Sequence, residues 1–220
     1  MKIIDGKIYI IENYISKDTC DFLVSSLKND LIQSPRDLYL TSQINLGVME
    51  AYRVKPSNPV KPYTDDKNKN ISIDIITLLC QMMSKTISDL YKEEYILKTI
   101  CYQMMLEGAR NTMHADNLYF NKNGEVIERE TEKRDRSGLL YLDENYEGGS
   151  LYFPKQNFTL TPKAGMFVFF EGNDDVIHEV LPITKGTRTN IVSFFWPVEN
   201  AGKDIPIIPN EDEMIFPASN

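Results

Sequence analysis

The sequence predicts an α+β fold that is mainly β, a sandwich or barrel of about eight short strands buttressed on one side by two helices. Three observations predict it. From about residue 95 onward, short apolar and β-branched runs alternate with Gly- and Pro-bearing turn signals. Ahead of them, two stretches repeat apolar residues at helical spacing. The 220 residues, 42% of them apolar, supply enough material for a sizeable core.

Taken in order, Lys7-Ile8-Tyr9-Ile10-Ile11-Glu12 is β-rich and reads as a strand. Ser16 then stands as an N-cap. Cys20, Leu23, Val24 and Leu27 recur behind it at helical spacing, predicting a helix over about 17–29. Residues 30–70 mix Pro35, Pro56, Pro59 and Pro62 with Asn and Asp, which predicts short strands near 37–41 and 48–54 and a loop over 56–69. In the next segment Ile75, Leu79, Met83, Ile87 and Leu90 lie one turn apart, while Ser72, Asp74, Lys85 and Asp89 fall elsewhere on the surface. That pattern is a core-facing scaffold helix whose methionines serve as packing.

Strand-like runs follow at 96–106, 113–120, 138–142, 150–153, 158–160, 166–171, 176–181 and 188–196. Turn signals separate them at Asn123-Gly124, Gly148-Gly149, Pro162-Lys163-Ala164-Gly165 and Lys185-Gly186. No repeat or Gly/Ser linker divides the chain. We expect a single domain over 1–220, with a strand-and-helix support over 1–95, a β core over about 96–197 and an extended tail over 198–220.

Charge and composition narrow the partners. A net charge of −8 argues against a nucleic-acid partner, which calls for a basic face, and is compatible with a basic peptide or a small molecule. No apolar run approaches the roughly 18 residues that cross a bilayer, so no membrane association is expected. Met1-Lys2-Ile3-Ile4-Asp5 breaks its apolar run with charge too early for a secretory signal. Cys20, Cys80 and Cys101 are odd in number, far apart and without metal-type spacing. The expectation is reduced core thiols in a cytoplasmic protein.

Only two histidines are present, His114 and His178, so histidine chemistry rests on them. His114-Ala115-Asp116 falls in a strand-like stretch, where residues i and i+2 share a face and an imidazole and a carboxylate converge. Alone the pair is a weak signal, because a half-buried histidine is more often a hydrogen-bonded core residue. His178, in Val176-Ile177-His178-Glu179-Val180, supplies a second imidazole from another strand. Two histidines and one carboxylate form a facial triad that holds iron(II) and leaves coordination positions open. The same donors suit zinc, so a zinc hydrolase is an alternative at this point.

Arg188 lies ten residues beyond His178. If 178–181 and 188–196 are antiparallel neighbours, Arg188 points back into the same cavity; otherwise it is a surface arginine by a turn. A buried guanidinium calls for a carboxylate, which its planar fork grips bidentately. Arg188, Asn190, Val192, Phe194 and Trp196 share one face of their strand. Tyr141, in Leu139-Leu140-Tyr141-Leu142, brings a phenol that needs a hydrogen-bond partner when buried.

From His114 to Trp196 the chain resembles the iron(II)- and 2-oxoglutarate-dependent oxygenases, in particular their prolyl 4-hydroxylase branch. The phrases that carry the resemblance are His114-Ala115-Asp116-Asn117, Arg136-Ser137-Gly138-Leu139-Leu140-Tyr141-Leu142 and Glu147-Gly148-Gly149-Ser150-Leu151-Tyr152-Phe153-Pro154. Pro162-Lys163-Ala164-Gly165 and His178-Glu179-Val180-Leu181-Pro182-Ile183-Thr184-Lys185-Gly186-Thr187-Arg188 complete them. Ile10-Ile11-Glu12-Asn13-Tyr14-Ile15-Ser16 with Cys20 is similar to the entry of that branch.

The resemblance implies a double-stranded β-helix, or jelly-roll, core with supporting helices. It implies that His114, Asp116 and His178 ligate iron, that Arg188 pairs with the distal carboxylate of 2-oxoglutarate, and that Tyr141 hydrogen-bonds the same group, with Thr189 or Asn190 assisting. Relatives often carry Tyr-x-Pro-Gly before the first histidine, where this chain reads Met105-Leu106-Glu107-Gly108; Tyr102, on the same strand, is the nearest tyrosine for that cosubstrate contact. Fe(II), 2-oxoglutarate and O2 follow as cofactors, with ascorbate as reductant. The implied reaction is hydroxylation of peptidyl proline in a peptide or protein, with release of succinate and CO2. Tyr52, Arg53, Arg136 and Trp196, with loops 54–69 and 121–136, are the candidates for substrate contact. Another amino-acid side chain or a small molecule as substrate, or a non-catalytic jelly-roll module, are the alternatives.

Overall fold

Two helices lie against one face of the larger of two sheets. The computed structural model describes residues 1–33, 48–49, 67–120, 126–128 and 134–198. Strands β1 (Lys2–Ile4) and β2 (Ile8–Ile11) open the chain as an antiparallel hairpin. Helix α1 (Lys17–Gln33) follows, with Ser16 Oγ accepting from the Thr19 N–H at 3.1 Å as an N-cap does. After β3 (Val48–Met49) comes α2 (Lys67–Tyr91). The helix begins inside the segment expected to be a loop over 56–69. Its first turn, Lys67-Asn68-Lys69-Asn70, holds no apolar residue from which a period could be read. The strand expected near 37–41, most of that near 48–54 and the tail beyond Val198 lie outside the described residues.

The β region comprises β4 (Tyr95–Leu106), β5 (Asn111–His114), β6 (Leu118–Phe120), β7 (Val126–Glu128), β8 (Arg136–Tyr141) and β9 (Glu147–Gly148). It continues with β10 (Leu151–Phe153), β11 (Phe158–Leu160), β12 (Phe167–Glu171), β13 (His178–Val180), β14 (Ile183–Lys185) and β15 (Thr187–Pro197). A seven-stranded sheet runs β1-β2-β12-β8-β15-β4-β3, and a four-stranded sheet runs β11-β10-β13-β5. β14 pairs with β9, and β6 with β7. The expected mainly β architecture with two supporting helices is present.

Side-chain alternation divides the core in two. Leu140, Leu142, Phe167, Phe169, Ile191 and Phe195 face the helices, where they meet Leu23, Leu79, Met83 and Ile87. The α2 residues expected to face the core do so, while Leu78 and Met82 are exposed. Leu139, Tyr141, Val168 and Phe170 point the other way, into the space between the sheets, against Leu151, Phe153, Leu160 and Val180.

Two local expectations are corrected. β13 and β15 are not neighbours: β13 lies in the four-stranded sheet, and β15 lies between β8 and β4 in the seven-stranded one. The connection forms its own strand, β14, and then turns at Gly186, whose φ of +80 favours glycine. His178 and Arg188 therefore stand on opposite walls. The run over 113–120 is also broken, because β5 ends at His114 and a turn intervenes before β6, closed by Leu118 N–H donating to Ala115 C=O at 3.1 Å.

Candidate active site

His114 closes β5 and His178 opens β13, and the two residues are direct cross-strand partners in the four-stranded sheet. Their ring centroids lie 4.4 Å apart. Asp116 is brought to them by the turn after β5 rather than by strand alternation. The Asn117 N–H donates to Gly172 C=O at 2.8 Å, tying that turn to the end of β12. Asp116 Oδ1 lies 3.6 Å from His114 Nε2, and its Oδ2 lies 3.7 Å from His178 Nε2. The three ligand atoms fall within 4.8 Å of one another, close enough to share one ion.

Both imidazoles are set for coordination through Nε2. His114 Nδ1 donates to Thr112 C=O at 2.6 Å and His178 Nδ1 to Val176 C=O at 3.2 Å. A carbonyl only accepts, so each Nδ1 carries a proton, which leaves Nε2 as the nitrogen that ligates when the ring is neutral. His178 is buried, with Phe170 at 4.7 Å and Phe153 at 5.9 Å between ring centroids. Burial, and then the neighbouring His114, lower its pKa to about 4, so it is neutral near pH 7. His114 is tuned the other way: burial opposes its charge, but Asp116 and the Thr112 carbonyl outweigh that and raise its pKa. Burial likewise pushes the Asp116 carboxyl up, yet His178, His114 and Arg134 together hold it well below the ordinary carboxylate value. The donor set is two imidazole nitrogens and one carboxylate, the set that suits Fe(II).

Across the sandwich, Arg188 points inward from β15 with 0% of its surface exposed. Nη2 donates to the Tyr141 hydroxyl at 3.2 Å, Nη1 lies 3.0 Å from Met105 Sδ, and Nε meets no partner. Among the described residues this guanidinium has no ion pair with a carboxylate. Burying a lone cation costs several kcal/mol unless an anion pairs with it. Asn190 lies two residues along the same wall and donates to Gln103 Oε1 at 3.3 Å, its own Oδ1 unpartnered. The structure thus gathers His114, Asp116, His178, Arg188, Tyr141 and Asn190 around one space between the sheets.

Other candidates fall elsewhere. Tyr102 pairs in register with Ile191 and packs in the cluster on the helical face, so the expected cosubstrate contact is corrected. Arg136 is also on that face. Its guanidinium stacks over Tyr91 at 4.2 Å and bonds Asp135 Oδ2 at 2.9 Å, which makes it a clamp between β8 and α2 rather than a substrate contact. Trp196, one residue before the end of β15, is buried and in the same alternation as Arg188. Tyr52 and Arg53 lie outside the described residues, as do most of loops 54–69 and 121–136. Arg134 escaped the sequence reading. It sits 4.0 Å from Asp116 Oδ1, stacks over Phe194 at 4.0 Å, and anchors its backbone N–H to Asn117 Oδ1 at 3.0 Å.

With this geometry in place, comparison with known proteins is decisive. Residues 98–196 match the family model described as the 2OG-Fe(II) oxygenase superfamily. The matched stretch contains the triad, Tyr141 and Arg188. The chain is 33% identical over 91 residues to prolyl 3-hydroxylase 1 of Gallus gallus, a match covering 38% of this chain and 13% of that protein. The chain spans only 11–14% of the length of the first curated relatives it matches. Among solved structures, the viral collagen prolyl hydroxylase of Paramecium Bursaria Chlorella virus-1 in its 2OG complex superposes with a TM-score of 0.56 at 18% identity, covering 88% of this chain and 98% of that one. A Pseudomonas putida prolyl-4-hydroxylase gives 0.57 at 18% identity, covering 87% and 92%. These likenesses establish the jelly-roll fold. Family and triad together imply Fe(II) and 2-oxoglutarate.

Proposed function

We propose that the protein hydroxylates peptidyl proline in a peptide or protein substrate, consuming 2-oxoglutarate and O2 and releasing succinate and CO2. The observation that carries the reading is the fully buried Arg188, without an ion pair among the described residues, facing the His114–Asp116–His178 cluster across the sandwich. The relatives' names supply the substrate class, since the curated relative and the two solved structures described above are called prolyl hydroxylases. A cytoplasmic location, and ascorbate as the reductant that keeps the iron ferrous, belong to the same proposal.

Iron held by the triad would supply the oxidising power for attack on an unactivated C–H bond. The chain's residues supply position and environment. The Thr112 and Val176 carbonyls hold both imidazoles with Nε2 inward. Arg188 and Tyr141 would grip the distal carboxylate of 2-oxoglutarate, which directs its oxo-acid end toward the metal. Phe153 and Phe170 wall His178 from water. A zinc hydrolase gives Arg188 no role at its metal, and a non-catalytic module would have no need of a complete triad.

The test is succinate formation from 2-oxoglutarate with Fe(II) and ascorbate, combined with a mass search for +16 Da products among proline-rich peptides. We expect both from the wild type and neither from His114→Ala. Comparing hydrolysed product with 3- and 4-hydroxyproline standards assigns the ring carbon. Identical products from both proteins, or none from either, would overturn the proposal.

A further inference from the structure

We propose that Tyr146 is a second phenol of the cosubstrate pocket, its hydroxyl donating to the distal carboxylate of the bound 2-oxo diacid beside Tyr141 and Arg188. The proposal rests on the 2-oxoglutarate reading and adds to it a residue that no sequence motif marks.

Tyr146 immediately precedes β9, which pairs with β14, the strand leading into Arg188. Its ring and the arginine stem both close on Gly149. A Cβ placed there would lie 3.1 Å from Tyr146 Cε2 and 3.2 Å from Arg188 Cδ, at a φ of +63 that already favours glycine. From the other side, the turn into β15 seats Gly186 against Tyr146 Cα and Cβ, both 3.4 Å from where its Cβ would stand. The phenol is therefore held in place at the arginine, not loosely apposed to it.

Its hydroxyl is buried and makes no hydrogen bond within the protein at bonding geometry. Burial raises the pKa of this phenol while the Arg188 guanidinium within reach of its hydroxyl works against that rise, and the Arg188 Nε is unpartnered as well. Buried polar groups are paired in native structures, so two adjacent unsatisfied donors point to an acceptor that binds between them. Asp143 Oδ1 accepts from the Thr189 N–H at 3.2 Å and Tyr141 Oη from Arg188 Nη2 at 3.2 Å, and neither residue bonds the Tyr146 hydroxyl or Arg188 Nε. Because Tyr141 Oη accepts from the guanidinium, its own proton is free for an incoming oxygen. A carboxylate, with about four lone-pair sites, matches two phenols and a guanidinium.

The experiment compares two ligands on two proteins. Calorimetry on the Mn(II)-loaded full chain gives the dissociation constants of 2-oxoglutarate and of 2-oxopentanoate, which has the same carbon chain without the distal carboxylate. Tyr146→Phe is expected to weaken 2-oxoglutarate about tenfold, the scale of one hydrogen bond to a charged group, and to leave 2-oxopentanoate and Mn(II) affinity unchanged. Tyr146→His, which retains a ring and a donor, is expected to recover part of the loss and serves if phenylalanine does not fold there. Equal weakening of both ligands, or of neither, overturns the role for Tyr146 while leaving the cosubstrate reading intact. No 2-oxoglutarate binding by the wild type overturns both.

Discussion

Replacing Arg188 with methionine separates function from stability at one position. The side chain is fully buried and, among the described residues, has no carboxylate partner; its protein contacts are the Tyr141 hydroxyl at 3.2 Å and the Met105 thioether at 3.0 Å. For the distal carboxylate, losing two charge-assisted hydrogen bonds at about 1.5–3 kcal/mol each amounts to about 3–6 kcal/mol, overlapping the range for removing one partner of a buried pair. At about 1.4 kcal/mol per decade, the dissociation constant of 2-oxoglutarate rises roughly 10²- to 10⁴-fold. The metal-free protein responds in the opposite sense. Methionine fills similar volume without burying a charge, and such replacements are neutral or stabilising by about 1–4 kcal/mol. Metal affinity stays near wild type, because Arg188 is not among the three ligands. Calorimetry with the Mn(II)-loaded protein reads the first quantity, and thermal unfolding of the metal-free protein reads the second. A lowered melting temperature with unchanged 2-oxoglutarate affinity would refute the reasoning and make Arg188 a structural cation.

Three further outcomes are expected. Metal binding strengthens as pH rises: His178, with a pKa lowered to about 4, is already neutral at pH 7, whereas the raised His114 must release a proton to ligate. Below the His114 pKa the affinity falls about tenfold per pH unit, and calorimetry in buffers of different ionisation enthalpy should register the released proton. Arg136→Ala loses the stack on Tyr91 and the bond to Asp135, destabilising by about 1–2 kcal/mol in urea unfolding while leaving metal and 2-oxoglutarate affinities unchanged. Met83→Ala empties a fully buried site between α2 and the large sheet, with a loss of about 2–5 kcal/mol in the same assay.

The ligands were legible because their residue types are scarce and their neighbours form recognisable phrases. With only His114 and His178 available, one carboxylate two residues from the first completes the set. How they meet was not legible. Asp116 arrives by a turn and not by strand alternation, and the histidines are cross-strand partners, a register that depends on sheet pairing between distant segments. Arg188 was read as inward-facing through the wrong neighbour, since the short β14 hides inside what looks like a loop. Arg136 could have been placed from the sequence: it lies five residues from Tyr141, an odd number, so the two face opposite sides of β8. Tyr102 is different, because only its register against Ile191 puts it on the helical face. Arg134 and Tyr146 sit outside regular strands, and their roles come from the turns that carry them.

The central claim is that His114, Asp116 and His178 share one iron while Arg188 anchors a diacid opposite it. Anomalous scattering at the iron edge, from crystals prepared anaerobically with Fe(II) and 2-oxoglutarate, tests it most directly. The account predicts one peak, bonded to both Nε2 atoms and to the Asp116 carboxylate, with the far end of the diacid on Arg188 and Tyr141. A peak away from those three residues, or a diacid whose far carboxylate lies away from position 188, would contradict it.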